Sequence, residues 1–184
     1  TASGKDANSV SYYPGFTSST NLHTASPWID GKATLFADVT DDIDGNPRDG
    51  STPDIGADEY EPAAGTTTPL SGPYTIGAGG NYTTFKSAVA DLQLKGVGGP
   101  VTFNVLNGNY NEHIVIYNIP GASDVNTVTF QANSGNAANA TLYFFAAAAE
   151  SNYVVSMYNA DYIRFHKMSL RSNNTVGAQY GMIF

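Results

Sequence analysis

Two segments with nearly the same strand pattern lie 27 residues apart, Val101–Val105 and Val128–Ala132. Apolar and polar residues alternate in each, which predicts β-strands with one buried face. The runs that begin at Ile114 and Leu142 lie 28 residues apart, and Ile163–His166 repeats the first pattern 35 residues after the second copy. A recurring interval near 28 residues is typical of stacked structural repeats. The sequence therefore predicts that these strands form successive coils of one solenoid.

The alternation also predicts which side chains face the interior of such a solenoid. If equivalent strands lie side by side about 4.8 Å apart, residues two positions apart share a face. The predicted inward columns are Val101, Val128, Ile163 and Phe103, Phe130, Phe165. The predicted outward columns are Thr102, Thr129, Arg164 and Asn104, Gln131, His166. The expected fold class is all-β, a parallel β-helix.

One segment has helical periodicity. From Thr84 to Lys95, apolar residues recur at i, i+3, i+4 and i+7, at Phe85, Ala88, Val89 and Leu92. Thr83 or Thr84 is the predicted N-cap, and Gly96 is the predicted stop. Because this amphipathic helix directly precedes the first strand, we expect its apolar face to cover the open end of the first coil.

The net charge of −8 lies entirely in the first third of the chain. Residues 1–61 hold eleven acidic and three basic residues, whereas the remainder holds five of each. Apolar residues in this first part are dispersed among turn formers, so we expect it to lean on other structure. The stretch from Glu61 to Pro69 has no large apolar side chain, which is typical of a linker. The predicted divisions are a closing segment at 1–61, a linker at 62–73 and a second module at 74–184.

Composition excludes several classes of protein. The eight Lys and Arg residues are scattered, which argues against a nucleic-acid partner. No apolar run approaches the roughly 20 residues of a membrane span. The absence of cysteine excludes disulfides, zinc–thiolate sites and thiol nucleophiles. The first residues lack a signal-peptide pattern, so we expect any export signal to have been removed or to lie outside this segment.

Several motifs resemble a known family. Four segments resemble the opening of pectin-lyase-like right-handed β-helix domains, such as those in very large secreted surface proteins of gliding and related bacteria. These segments are Tyr74–Gly77, Tyr82–Phe85, Gly99–Val105 and Gly108–Glu112. Ala160–Phe165 resembles an internal coil of such domains. Their closing segment is similar to Ser26–Asp30, Asp42–Arg48 and Pro53–Tyr60. The resemblance implies that the chain straddles a junction between two β-helix modules of a longer polypeptide, with an extracellular or cell-surface location.

The clearest metal-like pattern is Asp42, Asp44 and Asn46, three oxygen ligands at alternate positions as at the start of a calcium loop. Pro47 and Pro53 stand where the EF-hand pattern has Gly and Glu, so the pattern is incomplete. The alternative is a tight turn in which Arg48 pairs with a nearby Asp. Calcium binding by these three residues therefore stays open, and we predict no metal or cofactor site.

The remaining reactive side chains give no catalytic pattern. His23, His113 and His166 lack metal-ligand spacing, and we expect each to be a surface or satisfied core residue. His166 and Arg164 share an outer face, as lyase residues of similar folds do, but their predicted neighbours are Thr, Asn and Gln rather than acids. We therefore predict no catalytic residues and a non-enzymatic protein.

The predicted function is that of a structural and adhesive segment of a large repetitive extracellular fibre or surface protein. The expected partners are neighbouring β-helix modules, of the same or an identical chain, with glycans or surfaces as further candidates because exposed Tyr rings can stack on sugars. One alternative is part of a polysaccharide lyase or glycosidase whose active coils lie outside this segment. A second alternative is a β-sandwich binding module, which predicts antiparallel hairpins.

Overall fold

The computed structural model describes residues 10, 12–62, 68–145, 151–172 and 182–183. It divides into two compact units, Thr1–Thr67 and Thr68–Phe184. The described part of the second unit is β-rich and contains one α-helix. Its elements are β1 (Leu70–Ile76), α1 (Phe85–Lys95), β2 (Val97–Val105), β3 (Gly108–Asn111), β4 (Ile114–Tyr117), β5 (Val128–Ala132), a 3-10 helix (Ala137–Asn139), β6 (Ala140–Phe144), β7 (Val155–Tyr158), β8 (Ile163–His166), β9 (Ser169–Ser172) and β10 (Met182–Ile183).

The strands form three sheets, and every strand pair in them is parallel. The first sheet has the order β1-β2-β5-β8, the second β3-β6-β9 and the third β4-β7-β10. From β2 onward the chain visits the first, second and third sheets in that order, three times. The parallel pairing contradicts the β-sandwich alternative for the described strands, because that fold requires antiparallel hairpins.

The register of the first sheet confirms the predicted columns. Val101 pairs with Val128 and Val128 with Ile163, and the three aromatic residues two positions later pair in the same way. The Phe103 and Phe130 rings stack with their centroids 4.9 Å apart, and those of Phe130 and Phe165 stack 5.2 Å apart. These inward side chains are buried in β2 and β5 and partly buried in β8. The alternation of apolar and polar residues therefore predicted the strands β2, β5 and β8 and which of their side chains point inward.

The predicted equivalence of the runs at Ile114 and Leu142 is wrong. Ile114 belongs to the third sheet and pairs with Val155, whereas Leu142 belongs to the second sheet and pairs with Tyr110. Both runs are short and apolar, so their composition does not distinguish the two sheets. Only two residues separate β3 from β4. Because this connection is so short, the hydrophobic pattern of the sequence did not show where one strand ends and the next begins.

The last four residues of the predicted linker at 62–73 belong to a strand. β1 includes residues 70–73, with Leu70 buried and paired with Val97. Pro73 lacks an N–H donor, but β1 is an edge strand, where proline is tolerated. Residues 63–67 of the predicted linker lie outside the described part of the chain.

The predicted helix is confirmed, with Thr84 as N-cap and Gly96 as C-cap. The Thr84 side chain accepts a hydrogen bond from the Ser87 N–H, and the Ser87 hydroxyl accepts one from the Thr84 N–H, which forms a capping box. The buried face of α1 joins the same hydrophobic cluster as residues of all three sheets. Gln93 on this helix accepts a hydrogen bond of 2.7 Å from the Tyr117 N–H of the edge strand β4. The helix therefore covers part of a sheet edge.

The first unit has a different construction. From residue 12 to residue 62 the structure contains turns and one isolated antiparallel bridge, Asp41 to Pro47. Apart from Pro53, Ile29 at 4% exposure is the only buried apolar side chain in the described part of this unit. Several of its large apolar side chains are exposed, and Phe36 reaches 70% exposure. The apolar residues of the described part are therefore as dispersed as the sequence predicted, whereas the expectation that this part leans on other structure stays a prediction.

Candidate functional site

A cleft of about 260 Å³ lies on the outer face of the second sheet. The register places Asn109 beside Thr141 on β3 and β6, and Tyr143 beside Arg171 on β6 and β9. Phe145 follows directly after β6 and completes the lining. Because the alternate residues Tyr110, Leu142 and Leu170 belong to or pack against the hydrophobic cluster, the cleft residues face outward.

The cleft combines aromatic and hydrogen-bonding groups. The Tyr143 and Phe145 rings meet edge to face with centroids 5.5 Å apart, and Phe145 is 51% exposed. Arg171 is exposed and carries a planar guanidinium group, which can bind a carboxylate through two hydrogen bonds. The Asn109 amide offers both donors and an acceptor. This combination suits a sugar ring that stacks on an aromatic face, including one that bears a carboxylate.

A second exposed aromatic surface lies on the third sheet. Tyr117 of β4 pairs with Tyr158 of β7, and their rings stack 5.5 Å apart at an interplanar angle of 19°. Tyr117 is 37% exposed and Tyr158 is 56% exposed. The sequence analysis proposed exposed tyrosines in general as glycan contacts, without naming individual residues. The register between β4 and β7 brings Tyr117 and Tyr158 together into one surface.

The outward columns of the first sheet have the predicted register. Gln131 donates a hydrogen bond of 2.9 Å to Asn104, and His166 Nδ1 lies 3.5 Å from Gln131 Oε1. Thr102, Thr129 and Arg164 form the neighbouring column. The outward residues around Arg164 and His166 in these columns are therefore neutral, as the sequence predicted.

The Asp42–Asn46 segment is a tight turn. The Asp42 N–H donates to the Asn46 carbonyl, and Gly45 has a φ of +82°. The Asp42 carboxylate accepts hydrogen bonds from the backbone N–H groups of Asp44, Asn46 and Glu59 and from the Asn46 amide. Partial desolvation opposes the effect of these donors, which lower the pKa of Asp42 to about 2. A calcium ion at Asp42 would have to displace them.

The predicted pairing of Arg48 with an Asp side chain is wrong. Arg48 forms an ion pair with Glu59 at 3.3 Å and donates to the carbonyl oxygens of Asp54 at 3.0 Å and Gly56 at 2.6 Å. Glu59 follows the turn by more than a dozen residues, so the sequence near Arg48 did not single it out. The guanidinium group ties together the loop that contains Asp54 and Gly56.

Acidic side chains fasten the loops of the first unit. Asp54 is buried and accepts hydrogen bonds from the Gly31 N–H at 2.6 Å and the Tyr60 N–H at 2.9 Å. Asp49 accepts from the backbone and side chains of Thr52 and Ser51, which lower its pKa to about 2. These acids border a cleft of about 490 Å³. Their contacts show how a unit with so few buried apolar residues is held together.

The three histidines have different surroundings. His113 is stacked between Phe144 and Tyr153 with ring centroids at 4.2 and 5.0 Å, and burial lowers its pKa. His166 is exposed at the end of an outward column. His23 lies beside Asp44, with 2.5 Å between His23 Nε2 and Asp44 Oδ2. His23 is thus on the surface, as predicted. Its contact with Asp44 was not predicted.

Comparisons with protein-family models, curated proteins and solved structures found no match. Within the described residues, no helix has the length and apolar character required to cross a bilayer.

Proposed function

We propose that this chain is a structural and adhesive segment of a large repetitive extracellular protein. In this proposal, residues 74–184 begin a right-handed parallel β-helix of the pectin-lyase-like kind, with β1 added to its first sheet. The repeated order in which the chain visits three parallel sheets supports a coiled path. The shared hydrophobic cluster supports a common interior for the coils.

The helix α1 supports the same proposal. Its buried face contributes Phe85, Ala88, Val89 and Leu92 to the shared cluster, and Gln93 satisfies a backbone donor on the edge strand β4. A stack of coils needs such a cover where its first layer would otherwise expose apolar side chains and unpaired backbone groups to water. We assign α1 the role of an N-terminal cap.

The first unit supports the assignment of residues 1–61 as the closing segment of a preceding module. Leu35, Phe36 and Val39 are exposed and line an apolar cleft of about 340 Å³. A unit with so few buried apolar residues in its described part gains stability when such side chains pack on another layer. The expected layer is a coil of the preceding β-helix module.

The observation that carries the adhesive role is the outer cleft formed by Tyr143, Phe145, Arg171, Asn109 and Thr141. Aromatic rings and a guanidinium group on a rigid sheet provide a weak sugar-binding site at low entropic cost. Weak sites become effective when many copies act together along a repetitive protein. We therefore assign glycans, including those with carboxylate groups, as the surface ligands.

The test is binding of the full chain to immobilised neutral and acidic polysaccharides. We expect Tyr143→Ala and Phe145→Ala each to weaken retention, because each removes a ring from the cleft. Arg171→Gln should weaken retention of acidic polysaccharides more than that of neutral ones, and added salt should reduce this difference. Tyr162→Ala is the matched control, because it removes an exposed ring outside the cleft.

Two results would contradict the proposal. Equal retention of all four variants and the unmodified protein would remove the cleft from any adhesive role. Release of uronate products from pectin or alginate by the intact longer polypeptide that contains this segment would instead favour the lyase alternative.

A further inference from the structure

Three side chains in the first unit converge although they come from separate loops. Ligand atoms of His23, Asp44 and Asp58 all lie within 4.8 Å of one another. His23 and Asp44 are exposed, whereas Asp58 is only 6% exposed. An imidazole and two carboxylates at this separation form a set of potential metal ligands on the surface, with one ligand anchored in the interior.

Asp58 differs from four other acids of this unit, Asp42, Asp49, Asp54 and Glu59, which each accept hydrogen bonds from N–H groups. No donor among the described residues forms a hydrogen bond with the Asp58 carboxylate. Its oxygens are not enclosed polar atoms without a partner, so they keep contact with water. A carboxylate that is largely buried, lacks a donor and lies close to His23 and Asp44 is open to a cation at that point.

His23 is oriented for metal coordination through Nε2. Its Nδ1 is in close contact with Asn21 Oδ1, an amide oxygen that accepts a hydrogen bond from the ring N–H. The same Asn21 oxygen accepts a hydrogen bond of 3.1 Å from the His23 N–H. A carbonyl acceptor on one ring nitrogen places the proton there and leaves the other nitrogen available as a ligand. Nε2 lies 2.5 Å from Asp44 Oδ2, a distance that places a proton between the two atoms, so a metal ion at Nε2 would replace that proton.

We propose that His23, Asp44 and Asp58 bind one divalent transition metal ion of the Zn²⁺ class. One imidazole nitrogen and two carboxylate oxygens match the ligand types of zinc, with water as the fourth ligand. Calcium fits poorly, because it prefers six to eight oxygen ligands. Tetrahedral binding requires His23 Nε2 and Asp44 Oδ2 to separate from 2.5 Å to about 3.3 Å, a movement that their exposed positions permit.

The ion has a structural role in this assignment. It joins three loops of a unit whose described part buries few apolar residues. Because it binds the folded unit through ligands that are far apart in sequence, it stabilises the folded state over the unfolded one.

The experiment titrates the full chain with ZnCl₂ after removal of metal with EDTA. Calorimetry should give one Zn²⁺ per chain, and Zn²⁺ should raise the melting midpoint measured by fluorescence of Trp28, the only tryptophan. CaCl₂ should leave that midpoint unchanged. His23→Ala and Asp58→Asn should weaken Zn²⁺ binding by at least about tenfold. The matched control Asp38→Asn removes an exposed acid outside the cluster and should bind as the unmodified protein does.

The rise of the melting midpoint with Zn²⁺ provides an independent readout. It should be lost in Asp58→Asn and kept in Asp38→Asn, because only the first substitution removes a ligand. A rise of the same size in Asp58→Asn would overturn the proposal, because the bound ion would then not use this carboxylate. Equal Zn²⁺ binding by His23→Ala and the unmodified protein, or an equal midpoint shift with CaCl₂, would also overturn it.

Discussion

Phe130→Ala should be among the most destabilising single substitutions in the second unit. Phe130 is fully buried, and its ring stacks on Phe103 at 4.9 Å, Phe165 at 5.2 Å and Phe85 at 6.0 Å. Truncation of a buried Phe to Ala destabilises a protein by about 3–5 kcal/mol. Stacked aromatic pairs contribute about 0.5–1.5 kcal/mol each beyond their buried area, which places this site in the upper part of that range. We therefore expect a loss of about 4–5 kcal/mol.

The assay is urea unfolding of the full chain followed by far-UV circular dichroism, which reports on the β-rich unit. Thr129→Ala is the matched control, because Thr129 is the preceding residue of β5 and faces outward; it should change stability by less than about 1 kcal/mol. Phe165→Ala should have an intermediate effect, since Phe165 is only partly buried. A loss for Phe130→Ala no larger than that for Thr129→Ala would refute the assignment of a shared aromatic interior.

Three further predictions test other parts of the structure. Gly121→Ala should destabilise the protein by more than about 2 kcal/mol in urea unfolding, because φ is +82° and a Cβ atom would lie 2.1 Å from the Val97 carbonyl oxygen. Gly135→Ala is its control: φ is +70°, the space around the residue is free, and the loss of stability should be only about 1 kcal/mol. Glu112→Gln should lower stability in thermal melting by about 1 kcal/mol, because the Glu112 carboxylate accepts from the first two N–H groups of α1. Asp49→Asn should flatten the loss of stability in acid measured by tryptophan fluorescence. The folded pKa of Asp49 is about 2, below its unfolded value of about 3.9, so its contribution is complete above pH 4 and is lost as the pH falls toward 2.

Local patterns predicted α1 well. Its apolar spacing, its Thr84 cap and its Gly96 stop all lie within one short segment, so no distant contact was needed. Three of the four strands of the first sheet, β2, β5 and β8, were predictable for another reason: the same alternating pattern occurs three times, and copies of one pattern pair with each other. The second and third sheets have shorter strands, and periodicity alone assigned Ile114 and Leu142 to equivalent positions that the register separates.

The candidate sites were less predictable because their residues meet through the fold. Tyr143 and Arg171 face the same cleft only because β6 and β9 are neighbours in the second sheet. His23 and Asp44 lie 21 residues apart in loops, and metal-ligand spacing rules describe ligands held at short intervals on helices or tight turns. A useful signal would have been a histidine in a strongly acidic segment with few basic residues to balance it.

The paired side chains of the first sheet also determine how its strands can be aligned. A shift of one residue between β2 and β5 would turn every buried side chain toward water. A shift of two residues would preserve the buried face, but it would set Phe130 against Val101 and Gln131 against Thr102 in place of Phe103 and Asn104. The ring stack and the amide hydrogen bond would both be lost. Misaligned versions of this sheet are therefore disfavoured by two separate mechanisms, one for odd shifts and one for even shifts.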